Sequence, residues 1–85
     1  MSKVDKLLEK MRHNPRDWRI EDLESLALRF GLEVRKPSGS HAVFFYEATG
    51  RQLSVPAKRP IKPIYVTAFL ALLDEIEADD EQDEV

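Results

Sequence analysis

Residues 41–55, HAVFFYEATGRQLSV, decide the fold of this chain. The β-branched and aromatic residues at positions 41–46 predict one strand, and the alternation of apolar and polar residues over 51–55 predicts a second. Residues 47–50 between them are typical of a tight hairpin loop. The stretch therefore predicts a β-hairpin, from which the rest of the fold can be built outward.

Upstream of the hairpin, the pattern predicts a third strand and two helices. Residues 32–36 alternate apolar and charged side chains, and residues 37–40 have turn chemistry. A helix is predicted over 17–30, with Gly31 as its left-handed stop. An earlier short helix is predicted up to residue 13, because its apolar residues recur at helical spacing (Val4, Leu7, Leu8, Met11).

Downstream, a last helix is predicted to begin near Pro63, a residue favoured at the first helical position. From Ala78 onward the chain is acidic with little to bury, which predicts disorder. The expected fold is α+β, a small antiparallel three-stranded sheet with helices on one face, in the order α-α-β-β-β-α. The expected organisation is an N-terminal helical extension over 1–16, one domain over 17–77 and an acidic tail over 78–85.

The charge of the chain is unevenly distributed. The net charge of −3 includes eight acids and no base in residues 74–85, so residues 1–73 carry +5. Between Val34 and Lys62 there are six bases and one acid. A basic segment of this kind raises the local concentration of a polyanion such as RNA.

Composition also excludes several classes of protein. The chain has no cysteine, which excludes disulfides and Cys-ligated zinc. Residues 1–10 are charged throughout, unlike the apolar core of a signal peptide, and no apolar run reaches the ~20 residues of a membrane span. We expect a cytoplasmic protein without metal or cofactor, and at 85 residues one supported by a partner.

Strand alternation places two sets of side chains on opposite faces of the predicted sheet. Ala42, Phe44 and Tyr46 share one face, and His41, Val43 and Phe45 share the other. If helices cover the Phe44 face, His41 is open to a substrate. Four apolar residues lie outside the predicted core: Val43 and Phe45 on the open face of the sheet, and Tyr65 and Leu72 beside the buried apolar stripe of the last helix. Exposed apolar residues of this kind suggest a surface for a partner. Alternatively, the core is larger than this assignment assumes, and the first helix folds over the sheet.

His41 is the candidate catalytic residue. RNA cleavage needs a base with a pKa near 7 to deprotonate the 2′-hydroxyl, and it needs cations where charge builds on the phosphorane oxygens. Gly39 permits close backbone approach, and Ser40 can hydrogen-bond beside the substrate. The bases that we expect to contact RNA follow or precede the hairpin strands (Arg35, Lys36, Lys58, Arg59, Lys62). His13, before Asn14-Pro15, is interpreted as a helix-end residue.

Three sequence elements together resemble the HicA toxin family. They are PSGSHAVF at 37–44, RQLSVP at 51–56 and IKP at 61–63, where a helix opens. The family combines a Gly-Ser-His-x-x-Phe strand with a Val-Pro strand end and an apolar-Lys-Pro helix start. The resemblance covers roughly residues 20–74, and residues 1–16 and the acidic tail depart from the family pattern.

The resemblance implies a fold like that of double-stranded RNA-binding domains and an mRNA-cleaving toxin that a HicB antitoxin sequesters. It assigns the family's catalytic histidine to His41 and its glycine to Gly39. The hypothesis is thus a metal-independent endoribonuclease (an mRNA interferase) of a type II toxin–antitoxin pair. Two alternatives remain open: a non-catalytic RNA-binding module, and an interaction domain that binds an antitoxin-like partner without activity. No second histidine is placed to complete the proton transfer, and the partner in that step stays open.

Overall fold

The computed structural model describes residues 3–58 and 60–83 and has the predicted element order. Its elements are α1 (Lys3–His13), α2 (Ile20–Arg29), β1 (Glu33–Ser38), β2 (His41–Tyr46), β3 (Arg51–Pro56) and α3 (Pro63–Asp83). The strands form one antiparallel sheet in the order β1-β2-β3. The predicted α+β class is confirmed, and β2, which begins at His41, is the central strand.

The sheet register fixes which residues lie side by side. Phe44 pairs with Val34 of β1 and with Leu53 of β3, whereas His41 pairs with Ser38 and with Pro56. The β1–β2 pairing shifts between Arg35 and Ser38, which marks a bulge. The bulge lets β1 continue through Ser38, two residues beyond its predicted end.

One face of the sheet closes the hydrophobic core. Ala42, Phe44 and Val55 are fully buried, in one cluster with apolar residues from all three helices. The Phe44 and Phe69 rings lie 5.1 Å apart and tilted by 59°, a favourable aromatic geometry. Helix α3 packs against β3, α2 against β1, and α1 against α3. The helices therefore cover the Phe44 face, as predicted.

Helix α2 begins three residues later than its pattern predicted. Asp17 has a left-handed φ of 64°, and Arg19 is extended at φ −107° and ψ 158°. The Asp22 carboxylate accepts a hydrogen bond from the Arg19 backbone N–H at 3.0 Å, which caps the helix start. Residues 17–19 therefore belong to the preceding loop, because their backbone is not helical and the cap at Arg19 sets the start of the helix at Ile20. Gly31, with φ 79°, ends the element as expected.

The core is larger than the sequence predicted. Leu72, expected on a partner surface, is only 7% exposed and belongs to the core cluster with Leu8 and Met11 of α1. The expectation that Leu72 lies on an exposed partner surface is wrong, because α1 packs against α3 and widens the covered face of that helix. The alternative prediction of a larger core therefore describes the structure better. Helix α1 enlarges the core by packing against α3, however, and not by covering the open face of the sheet.

Helix α3 continues to Asp83, where the sequence predicted disorder from Ala78. No glycine or proline follows Pro63, and residues 74–85 include four Glu and one Gln, which are good helix formers. The chain therefore has no stop signal at Ala78. The first acids of this run are paired: Asp74 with Arg12 of α1 and Glu75 with Arg51 of β3. Within the described residues, no helix has the length and apolar content needed to span a membrane.

Candidate active site at the start of the central strand

His41 lies exposed at the first position of β2, on the face opposite to Phe44. The Ser40 Oγ atom is 3.1 Å from the His41 Nδ1 atom, within hydrogen-bonding distance. This contact restrains one side of the ring. The other ring nitrogen, Nε2, is the one that can meet a substrate, and the exposed position predicted for His41 is confirmed.

The turn before β2 is tied to the end of β3. The Ala57 backbone N–H donates a hydrogen bond to the Ser40 carbonyl at 2.8 Å, which extends the pairing of His41 with Pro56. A Cβ atom built on Gly39 would meet no atom within 4 Å, so the packing of the chain does not require glycine there. The space beside Gly39 is open, in agreement with the close approach expected at this position.

The open face of the sheet carries a small apolar and ionic group around Phe45. Val43 and Phe45 are half-buried and lie outside the core cluster. The Arg35 guanidinium lies 5.1 Å from the Phe45 ring centroid, in cation–π geometry, and donates to the Glu33 carboxylate at 2.9 Å. This hydrogen bond lowers the pKa of the Glu33 carboxyl and raises the pKa of Arg35.

The basic residues that were expected to contact RNA fall into two groups, those with and those without an ion-pair partner. Arg35 is paired with Glu33, and Lys36 is paired with Glu24 of α2 at 2.7 Å. Lys58 and Lys62 are exposed and form no ion pair with another described residue. Arg59 lies outside the described residues. The two lysines after β3 are therefore better placed to bind a phosphate than the two bases of β1.

Tyr65 does not lie on the same surface as Val43 and Phe45. It is half-buried, contacts the core at the start of α3, and lines a cleft of about 490 Å³ with Lys58 and Lys62. Of the four residues predicted for a partner, only Val43 and Phe45 share the open sheet face. The predicted partner surface is thus narrower than the sequence suggested.

The cleft has one wall that the sequence analysis missed. Arg16 and Asp17, from the loop between α1 and α2, line it together with residues of the loop after β3. A hydrogen bond from the Ile61 N–H to the Trp18 carbonyl at 3.0 Å joins the two loops. Neither segment carries a sequence pattern that predicts this contact, because it joins two irregular segments that are far apart in the chain.

His13 is in a different part of the molecule. It is the last residue of α1 and borders a surface hollow together with Lys6, Leu7, Glu9 and Lys10. Its predicted place at a helix end is confirmed. Among the described residues, no three His, Cys, Asp or Glu side chains lie close enough to hold a metal ion.

Comparison with protein family models, with curated proteins and with solved structures found no match to this chain. The resemblance to the HicA family therefore stands on the three quoted sequence elements alone. The structure itself shows the predicted element order and the exposed position of His41. The class that the structure defines is a small α+β domain with an exposed histidine at the head of its central strand.

Proposed function

We propose that this chain is a metal-independent endoribonuclease that cleaves mRNA and acts as the toxin of a type II toxin–antitoxin pair. The observation that carries the proposal is the exposed His41 ring with its Nδ1 atom 3.1 Å from Ser40 Oγ. The Gly-Ser-His tripeptide around that residue belongs to one of the three sequence elements that together resemble the HicA family.

In the proposed mechanism, the His41 Nδ1–H group donates to Ser40 Oγ, which leaves the Nε2 lone pair free to act as a base. Nε2 takes the proton of an RNA 2′-hydroxyl, and the 2′-oxygen attacks the adjacent phosphorus. The bond from phosphorus to the 5′-oxygen breaks, leaving a cyclic phosphate. The 5′-oxygen takes a proton from water or from a neighbouring lysine.

Lys58 and Lys62 supply the positive charge that this reaction requires. Lys58 is two residues beyond Pro56, which pairs with His41, so its backbone lies within ~7 Å of that pairing along the chain. Cations placed where negative charge develops stabilise the transition state. Their freedom from ion pairs with other described residues supports this role.

A HicB-like antitoxin would cover the open face of the sheet. Val43 and Phe45 give that face an apolar centre beside His41, and Arg35 and Glu33 border it. A protein that binds there also blocks RNA from reaching the histidine. One surface thus serves both the proposed activity and its control.

The test compares His41→Ala with the wild-type chain and with His13→Ala. We expect His41→Ala to slow cleavage of a purified mRNA by ~10²–10⁴-fold, since that is the usual contribution of a general acid or base. It should also relieve growth arrest on expression, whereas His13→Ala should behave as the wild type. Equal cleavage and equal toxicity of His41→Ala and wild type would refute the mechanism.

A second candidate function is a non-catalytic RNA-binding module. The exposed lysines after β3 favour it, because RNA can be held through its backbone without any chemistry. It predicts salt-sensitive RNA binding that survives His41→Ala, with no cleavage by wild type. Binding only to an antitoxin-like protein, with no affinity for RNA at low salt, would instead indicate an interaction domain.

A further inference from the structure

We propose that the cleft between the α1–α2 loop and the β3–α3 loop binds one nucleotide of the RNA strand, next to the phosphate that His41 attacks. The inference rests on the proposed function, because RNA is the ligand class that His41 would cleave. The cleft adds Arg16, which lies before the segment that resembles the HicA family. The N-terminal extension thus gains a role in substrate binding.

The cleft has the size of a ligand site and a fixed frame. Its volume of about 490 Å³ lies within the ~300–1,000 Å³ that small-molecule sites span. The two loops are joined by the Ile61 N–H bond to the Trp18 carbonyl, and the Trp18 indole N–H donates to the Asn14 carbonyl at 2.6 Å. Ile61 is itself buried, so the β3–α3 loop is anchored in the core at that residue.

The charge of the cleft favours an anion. Arg16, Lys58 and Lys62 line it with one acid, Asp17. None of the three bases forms an ion pair with another described residue, whereas Arg12, Arg35, Lys36 and Arg51 all do. Three exposed cations around one hollow suit a phosphate group.

Tyr65 provides the surface for a base. Tyr65 lines the same cleft and packs against the core. Single-stranded RNA is bound by stacking unpaired bases on aromatic side chains while cations hold the backbone. Arg16, Lys58, Lys62 and Tyr65 offer both contacts in one place.

Pro56 connects the cleft to the catalytic position. It lines the cleft and is also the sheet partner of His41. His41 does not line the cleft itself, so the nucleoside bound there would flank the cleaved phosphate, the group that Lys58 and Lys62 hold in the proposed mechanism, and would not carry the 2′-hydroxyl that His41 deprotonates. The cleft would set where along the strand His41 acts.

The first experiment measures binding of a short mixed-sequence single-stranded RNA by fluorescence anisotropy. The full chain carries His41→Ala so that the RNA stays intact. Arg16→Gln, Lys58→Gln and Lys62→Gln should each weaken binding about fivefold at ~0.1 M salt and lower the log–log salt slope by about 0.7, as for one lost phosphate contact. Arg29→Gln removes an exposed base of α2 outside the cleft and should change neither quantity. Equal affinities of Arg16→Gln and Arg29→Gln would overturn the inference.

The second experiment separates the base contact from the charge. Tyr65→Phe should keep RNA affinity, whereas Tyr65→Leu should lose about fivefold or more, the cost of one lost stacking contact. Thermal unfolding of both variants checks that the chain is folded. Equal affinity of the Phe and Leu variants would overturn the role of Tyr65 as a stacking surface.

The third experiment distinguishes this inference from the proposed function. With an active chain, Arg16→Gln should raise KM for RNA cleavage, and Arg29→Gln should not. Cleavage by wild type with no effect of Arg16→Gln overturns the cleft and leaves the endoribonuclease. Absence of cleavage with Arg16-dependent RNA binding overturns the endoribonuclease and leaves the cleft. Adenosine monophosphate serves as a competitor: if it binds while the RNA does not, the cleft holds a free nucleotide and the inference is wrong.

Discussion

Phe44 and Phe45 are neighbours of the same residue type on β2, yet they lie in different environments. Phe44 is fully buried against Phe69 of α3, whereas Phe45 is half-buried on the open face under the Arg35 guanidinium. The same alternation separates Ala42, in the core, from His41 and Val43 on the open face. One strand thus contributes both to the core and to the candidate active site.

This difference shows how a chain of 85 residues can combine a buried core with an exposed histidine on the same strand. The core uses one face of the sheet, so residues on the other face can change with little effect on folding. A substitution on the covered face should therefore lower the free energy of unfolding. Under the proposed function, a substitution on the open face should instead affect RNA or partner binding. Paired substitutions can test whether the two faces are separable in this way.

The largest effect on stability is expected for Phe44→Ala. Removing a buried aromatic ring costs ~3–5 kcal/mol, which is a large part of the ~5–15 kcal/mol that stabilises a typical domain. Phe45→Ala should cost less than ~1 kcal/mol, because the ring is only partly removed from water. Urea unfolding followed by circular dichroism measures both. Equal losses of stability would show that the open face is covered in solution.

A smaller loss of stability is expected for a substitution of Leu72, which tests whether α1 covers that side of α3. Leu72→Ala should lower the free energy of unfolding by ~2–5 kcal/mol, as other buried leucines do. Leu28, at 68% exposed, is the matched control, and Leu28→Ala should change stability by less than ~0.5 kcal/mol. If Leu72→Ala were as mild as its control, α1 would not cover that side of α3 and the original partner prediction would return.

The fold was predictable from the sequence because its signals are local. Hydrophobic alternation, the hairpin loop and Pro63 set the strands and the start of α3, and all were confirmed. Helix α3 was expected to end at Ala78, although no glycine or proline stops it there. Two further differences are the start of α2, which depends on the left-handed Asp17 and the Arg19–Asp22 cap, and the burial of Leu72, which depends on α1 packing against α3. Neither is encoded in the periodicity of a single segment.

The candidate site was predictable only in part. Alternation correctly placed His41, Val43 and Phe45 on the open face. The number of bases in the segment, however, could not separate Lys58 and Lys62 from Arg35 and Lys36. That separation depends on ion pairs, which Arg35 forms with Glu33 of the same strand and Lys36 forms with Glu24 of α2. Arg16 was missed since its place in the cleft depends on where two loops meet.

The smallest effect concerns the ion pair on the open face. Arg35 holds the pKa of Glu33 below its ordinary value near 4.5, so the pair stabilises the fold above that value and its contribution is lost as pH falls through the lowered pKa. Both groups are exposed, so the change in stability should be slight. Arg35→Gln should raise the pKa of Glu33, measured by NMR titration of its carboxyl carbon. Lys36→Gln, which removes a cation paired with α2, should leave that titration unchanged. Identical Glu33 titrations in Arg35→Gln and wild type would show that the pair does not persist in solution, and Arg35 would then be free to contact RNA beside Phe45.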